Sequence, residues 1–516
     1  MNGYQLATVA SAGLFVCLGL IGLVLKSCRH LHFSDREGEW HHPHSRQPPV
    51  PRLGGIALAG TFVAVFVLFF GVALKNQPGA LAELAKIAGL SLAMFALGLW
   101  DDFRPLGARR KFFGQLAVAS AAYFLGLGIQ RVGLPFIGQT VDLGIWWAWL
   151  VTLFWLVGMT NLINLIDGVD GLAGGIGLML MLLLAGVGGG TGDVQFIAVG
   201  MTGALLGFLC FNFPPAKIYM GDGGAYFLGF LIGCLTIANS HKGTVFAALI
   251  APLFVLALPI LDTLLAILRR GLRGLPLFRP DRRHIHHRLL EMGLSSRQIV
   301  LGLYAFTASF LVLGLAAFWS HDEYLPILTG CAVLIILLSA GKLSFSREWF
   351  AVGRVLGGSL DMRAEIQYAL HQTRWLAMEG ARCKSIDSLW EDLVFVARKL
   401  GYVKVRLELD NVEKTWQSPD ATGADCSTSI HQLPCGPSNV MELSAPCSAL
   451  VGKKLSETHE TKFRILGDLV AEGWAKAARV WEKSHRLPVR FETRKTSTAI
   501  IAADALNPEP ASRPAA

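Results

Sequence analysis

The strongest constraint on this chain is its recurring apolar runs, each about long enough to cross a bilayer. They lie near residues 5–26, 54–74, 84–100, 112–129, 145–163, 172–188, 194–211, 224–239, 244–268, 298–318 and 324–341. About 20 helical residues cross a hydrocarbon core, and backbone inside it must satisfy its own hydrogen bonds. The runs therefore predict an all-α polytopic membrane domain of about eleven transmembrane helices. A mean hydropathy of +0.48 and a charged fraction of 16% agree with this, because soluble chains of this size are more polar. No small-residue cleavage site follows the first run, which reads as a retained helix and not a removed signal peptide.

The apolar excess stops near residue 343 and charge density then rises. The expected organisation is a membrane domain over 1–345, a small cytoplasmic α/β domain over 346–493, and a disordered tail over 494–516. In the second domain Leu389, Leu393, Val396 and Leu400 mark an amphipathic helix. Val403, Val405, Leu407 and Leu409 alternate with charged residues as a half-buried strand does. Leu466, Leu469, Val470, Trp474, Ala477 and Trp481 mark a last helix, and 415–437 reads as a loop. No catalytic motif appears in this part.

The net charge of +9 does not call for nucleic acid as a partner. Its arginines cluster in the loops after the first, third and ninth runs, as membrane topology produces. The same asymmetry places those loops and the C-terminal domain in the cytoplasm and the N-terminus outside. Nine cysteines form no C-x-x-C pair. Cys17, Cys210, Cys234 and Cys331 sit in apolar runs and read as small core residues.

Polar chemistry gathers at the ends of these runs. In N-L-I-N-L-I-D-G-V-D-G-L, Asn161, Asn164, Asp167 and Asp170 recur every third residue, which on a helix makes one polar stripe. Ionisable groups at the end of a span mark a functional site by default. A capped helix end accounts for one Asp-Gly pair and poorly for the whole stripe. Asp101 and Asp102 repel each other unless a cation is near. The neighbouring arginines are one structural source of that cation. The functional alternative is a site for a metal-bound diphosphate and a phosphate nucleophile. In M-G-D-G-G, Asp222 stands among glycines at the start of a span, where a helix N-terminus and open backbone favour anions and a hydrated cation. An N-capping role is the structural alternative. The most basic loop, 269–297, centres on Arg282-Arg283-His284-Ile285-His286-His287-Arg288, donors suited to a sugar nucleotide's diphosphate. Asp262, inside a span, reads as an interhelical partner.

Taken together, P-V-P-R-L-G-G at 49–55, the Asp101-Asp102 pair, the 161–172 stripe, M-G-D-x-G and H-I-H-H-R-L resemble the polyprenyl-phosphate N-acetylhexosamine-1-phosphate transferases. That family includes the enzymes forming peptidoglycan lipid I and those priming O-antigen and teichoic acid. The likeness covers about residues 45–300, and the 269–297 loop resembles that of the GlcNAc-1-phosphate branch. A departure is Arg104-Pro105, where many relatives carry a third acid or a lysine. The resemblance implies transfer of GlcNAc-1-phosphate from a UDP-N-acetylhexosamine to undecaprenyl phosphate at the bacterial inner membrane. It implies catalytic roles for Asp101, Asp102, Asp167 and Asp170. Asp222 and Asp167 would hold Mg2+, with Mn2+ as a substitute. Asn161, Asn164, Asn212, Lys111, His284, His286, His287 and Arg288 would bind substrate. Membrane lipids and a second copy of the chain, as a homodimer, are further candidate partners. The alternatives are a lipid I-type phospho-MurNAc-pentapeptide transferase and a secondary transporter. The transporter predicts mid-span polar residues and internal repeats, and most of these acids lie at span ends.

Overall fold

The computed structural model describes residues 3–31, 50–76, 78–134, 139–187, 193–240, 294–319, 352–409, 412–419, 426–433, 439–446 and 453–485, with isolated positions between 252 and 331. Two compact units divide the chain, the second beginning at Asp361.

In the first unit the apolar runs become helices: α1 (Gly3–Leu31), α2 (Gly54–Asn76), α3 (Pro78–Phe103), α4 (Ala108–Phe124), α5 (Gly144–Ile166), α6 (Leu172–Val187), α7 (Asp193–Asn212), α8 (Gly221–Ser240) and α9 (Ser296–Trp319). Six of them contain a stretch long and apolar enough to cross a membrane, and α2 and α6 contain shorter apolar stretches. The runs at 244–268 and 324–341 lie almost wholly outside the described residues, so this count stands below the expected eleven. Asp262, His284, His286, His287 and Arg288 also lie outside them.

Helix α8 is the centre of this unit. Phe227, Phe230, Leu231 and Leu235 along it are fully buried. It packs against α2, α3, α5 and α6, which brings the far-apart acid motifs to one end of one helix. Cys17 and Cys234 are core residues, whereas Cys210 and Cys331 are exposed.

The membrane unit is not all-α. Strands β1 (Arg131–Leu134) and β2 (Gln139–Asp142) pair antiparallel between α4 and α5, and Arg131 Nε meets Asp142 Oδ1 at 2.7 Å. The hairpin falls between apolar runs, where hydrocarbon no longer demands a helix. Val132, Thr140 and Val141 there favour extended backbone.

The second unit contains α10 (Val352–Glu379) from Asp361 onward, α11 (Ile386–Lys399), a four-stranded sheet and α12 (Lys453–His485). The strands are β3 (Lys404–Leu409), β4 (Val412–Gln417), β5 (Cys426–Gln432) and β6 (Val440–Pro446), in the order β4-β3-β6-β5 and antiparallel throughout. Val405, Leu407, Met441 and Leu443 are fully buried, as are Leu389 and Leu393 of α11 and Val470 of α12. The expected amphipathic helix, the alternating strand and the last helix are all present. The loop expected over 415–437 is not one: β4 runs through Gln417 and β5 lies inside the segment. β5 pairs with β6 alone, so backbone bonds define it more than an apolar pattern does. Its His431 is 5% exposed and bridges Asp468 Oδ1 at 3.1 Å and Ser429 Oγ at 2.9 Å, tying the edge strand to α12.

Candidate active site

The acids meet where the ends of α3 and α5 and the start of α8 converge. Helix α3 stops at Phe103, just before Arg104-Pro105, since a proline disfavours helical backbone in the residue before it. That leaves Asp101 and Asp102 in its final turn. The Asp102 carboxylate accepts the backbone N–H of Asp222 at 2.9 Å and of Gly223 at 2.8 Å. It thus caps the first turn of α8 from another helix, filling the role expected for Asp222 in the structural reading. N-terminal N–H groups have no partner within their own helix, and a carboxylate there also suits the helix dipole.

Gly221 permits this approach. Its φ is 75°, and a Cβ there would lie 2.5 Å from the Arg52 carbonyl oxygen and 2.9 Å from Asp102 Oδ2. The run 51–55 holds the other side: Gly54 N–H and Gly55 N–H donate to the Tyr219 and Met220 carbonyls at 2.9 Å each, and Tyr219 N–H donates to Pro51 O at 2.9 Å. The prolines favour the extended backbone that this pairing needs.

Freed from capping, Asp222 turns to Lys111, whose Nζ lies 2.9 Å from Asp222 Oδ2. Lys111 also forms an ion pair with Asp101, whose Oδ1 accepts from Leu106 N–H at 2.6 Å. Burial alone would lower the Lys111 pKa, but its pairs with Asp101 and Asp222 more than offset this and hold it well above the usual lysine range. Asp167 follows the last turn of α5. Burial first, and then the charges of Asp222 and Asp102, push its carboxyl well above the usual range, while Arg52 opposes the shift. Four carboxylates, Asp101, Asp102, Asp167 and Asp222, therefore share one neighbourhood with Lys111 and Arg52.

The polar stripe does not survive as one helical face. Helix α5 ends at Ile166, because the chain turns at Gly168 and Gly171. Only Asn161 and Asn164 are helical neighbours, and Asp170 lies in the turn. Asp170 Oδ2 accepts from Ala216 N–H at 3.0 Å. Asn212 is 3% exposed, and its amide accepts from Gly171 N–H at 3.0 Å and donates to Ile218 O at 2.8 Å. These two residues brace the 167–171 turn against the 213–219 connection. Two residues of α9 assist: Tyr304 Oη donates to Gly171 O, and Arg297 Nε donates to Pro214 O at 2.8 Å. Asn161 Nδ2 donates to Gln115 Oε1 and to Val157 O, each at 2.8 Å. Asn164 is half-buried, and its side chain has no hydrogen bond with a described residue.

Residues 84–240, which carry every acid of this cluster, match the model of glycosyl transferase family 4. The chain is 39% identical over 279 residues to the probable undecaprenyl-phosphate N-acetylglucosaminyl 1-phosphate transferase of Bacillus subtilis, covering 52% of this chain and 75% of that relative. The chain belongs to this family. It is also 34% identical over 377 residues to the decaprenyl-phosphate N-acetylglucosaminephosphotransferase of Mycobacterium leprae (66% of this chain, 90% of the relative). It is 32% identical over 296 residues to the phospho-N-acetylmuramoyl-pentapeptide-transferase of Desulforamulus reducens (54% and 85%). The expected kinship thus holds, on a family match narrower than 45–300.

Sequence reasoning left four contributors without a role. Arg52 lies in the P-V-P-R run, and its charge reaches Asp167. Tyr304 and Arg297 sit on α9, far away in sequence with no local motif. Gln115 falls four residues after Lys111 and so on the same face of α4, a spacing that could have marked it. It is 1% exposed, and its Nε2 is buried without a hydrogen-bond partner among the described residues.

Proposed function

We propose that this family 4 chain transfers GlcNAc-1-phosphate from UDP-GlcNAc to a polyprenyl phosphate, undecaprenyl phosphate in a bacterial membrane, and releases UMP. The product is the first lipid-linked intermediate of a cell-surface polysaccharide. One observation carries this reading: Asp101, Asp102, Asp167 and Asp222 gather in one neighbourhood with Lys111 and Arg52 at the ends of apolar helices. That is where a lipid-borne phosphate and a water-borne nucleotide can meet.

The carboxylate oxygens exceed the nearby cations in charge, and a hard divalent ion suits such a donor set. Asp222 and Asp167 would hold magnesium, with manganese as a substitute. When bound, the ion supplies charge neutralisation for the diphosphate and the departing UMP. The remaining roles belong to the chain's own residues. Asp102 has both oxygens hydrogen-bonded to the α8 backbone, so it positions Asp222 and is a poor candidate for covalent attack. Lys111 sets a fixed cation between Asp101 and Asp222, beside the path of the phosphates. The acceptor is a phosphate monoester with a second pKa of about 6, so it is largely dianionic at neutral pH. It needs positioning more than deprotonation, and direct in-line attack follows. His284, His286, His287 and Arg288 are assigned to the sugar nucleotide, with the acid cluster and the C-terminal unit in the cytoplasm.

The test is UMP release by the purified chain. Release should require magnesium, UDP-GlcNAc and polyprenyl phosphate together. Omitting the lipid should abolish it, and a stoichiometric UMP burst without lipid would instead make a carboxylate the nucleophile. If no UDP-sugar in a panel yields UMP, the reading fails. A chain ending at Ser346 keeps every acid of the cluster. It is expected to retain turnover in detergent, and a well-folded but inactive truncation would give the C-terminal unit a part in the chemistry.

A further inference from the structure

The arginines that follow α3, Arg104 in the connection and Arg109 and Arg110 in the first turn of α4, are not the partners of the acid pair. Lys111 engages Asp101 and Asp222, and backbone N–H groups satisfy Asp102. Arg104, Arg109 and Arg110 are all exposed and form no ion pair with a described residue. Around them stand four exposed aromatic side chains: Trp100 (59%), Phe103 (50%), Phe112 (48%) and Phe113 (68%). No Asp or Glu occurs between Asp102 and Asp142, so no nearby acid in this stretch neutralises the three cations. The segment also begins where a membrane-length apolar stretch, Leu81–Phe103, ends.

These features fit one chemical environment. At the edge of a bilayer, aromatic rings settle at headgroup level, and arginines keep their charge at the phosphates while their stems stay in apolar surroundings. The first turn of α4 adds to the demand for an anion. It holds Arg109, Arg110 and Lys111 with no acid, and its N-cap, Gly107, provides no side-chain cap. Cations there face the positive end of the helix dipole.

We infer that residues 100–113 form a docking surface for anionic bilayer phospholipids, whose headgroup phosphates pair with Arg104, Arg109 and Arg110 among the four aromatic side chains. The inference rests on the membrane reading of α3 and not on which sugar is transferred. Bilayer lipid is the occupant favoured over the acceptor. The acceptor phosphate must reach the carboxylates, where Lys111 and not these arginines is engaged. Such a surface would anchor the α3–α4 connection, and with it the acid pair, at a fixed depth.

The experiment uses the full chain purified in detergent, exposed to equimolar phosphatidylglycerol and phosphatidylcholine and examined by native mass spectrometry. The wild type is expected to retain phosphatidylglycerol several-fold over phosphatidylcholine. The variant Arg104→Gln/Arg109→Gln/Arg110→Gln is expected to lose that preference while keeping transferase activity in detergent. Equal retention of both lipids by the wild type, or an undiminished preference in the variant, overturns the inference. If polyprenyl phosphate displaces phosphatidylglycerol from the arginines, the surface belongs to the acceptor and the inference also fails. Should the variant not fold, the wild type decides alone, because its preference must fall as salt rises and screening sets in. A salt-insensitive preference removes the arginines from the account. A transferase assay that fails while lipid selectivity persists would count against the proposed function and not against this surface.

Discussion

Asp222→Asn is expected to lower the rate of UMP release by about a hundred- to a thousandfold, the scale seen when one preorganised electrostatic group is removed from an active site, and to leave the protein folded. Asp222 does not hold α8 in place. Its carboxylate faces Lys111 at 2.9 Å, and Lys111 keeps Asp101 after the change. The amide is close in size and leaves the first turn of α8 intact. Asp102→Asn should behave differently. Its carboxylate receives two backbone N–H groups, and hydrogen bonds to a charged group contribute about 1.5–3 kcal/mol each. An amide loses the charge and risks turning its own N–H toward theirs. Both variants should be slow, but only Asp102→Asn should also unfold at lower temperature. Equal thermal stability of the two would mean that Asp102 does not carry the start of α8. Near-normal UMP release by Asp222→Asn would remove Asp222 from the chemistry.

That division of labour between neighbouring acids is what the sequence could not supply. Composition and the length of the apolar runs were enough to place α1 to α9, because hydrocarbon permits little but helices. The acid motifs were visible for the same reason, as charge stands out at the end of an apolar run. Their partners were not. Lys111 lies 111 residues from Asp222, and Asp102 caps a helix 120 residues away. Nothing local distinguishes a capping carboxylate from a reactive one. The stripe failed beyond Asn164 because i to i+3 spacing assumes a continuing helix, and α5 ends at Ile166 where the chain turns into the glycine-bearing 167–171 segment. In the second unit, α11 and β3 were legible because each has one buried face. β5 was hidden because an edge strand needs no apolar alternation. The helix α10 was overlooked although Met362, Ile366, Ala369, Thr373 and Leu376, all buried, recur at helical spacing.

Gly221→Ala tests whether backbone geometry, more than any single charge, builds this site. The expected result is a loss of UMP release of about a hundredfold or more, with every acid still present. Two costs act together. The residue sits at φ 75°, where an L side chain is disfavoured by roughly 1–2 kcal/mol. Its Cβ would also lie 2.5 Å from the Arg52 carbonyl oxygen and 2.9 Å from Asp102 Oδ2. The carbonyl has little room to retreat, because the flanking Pro51, Gly54 and Gly55 are hydrogen-bonded to residues 219 and 220. The strain is therefore expected to move the start of α8 away from Asp102 and carry Asp222 with it. A misplacement of about 1 Å at a reacting centre can cost about a hundredfold in rate. Gly89→Ala is the matched control, since that glycine lies within α3 and a Cβ there meets nothing within 4 Å. It should leave the rate unchanged and, by the helix preference of Ala over Gly, should not lower stability. If Gly221→Ala turns over as fast as Gly89→Ala, the contact between α8 and the 51–55 run is not what positions Asp222.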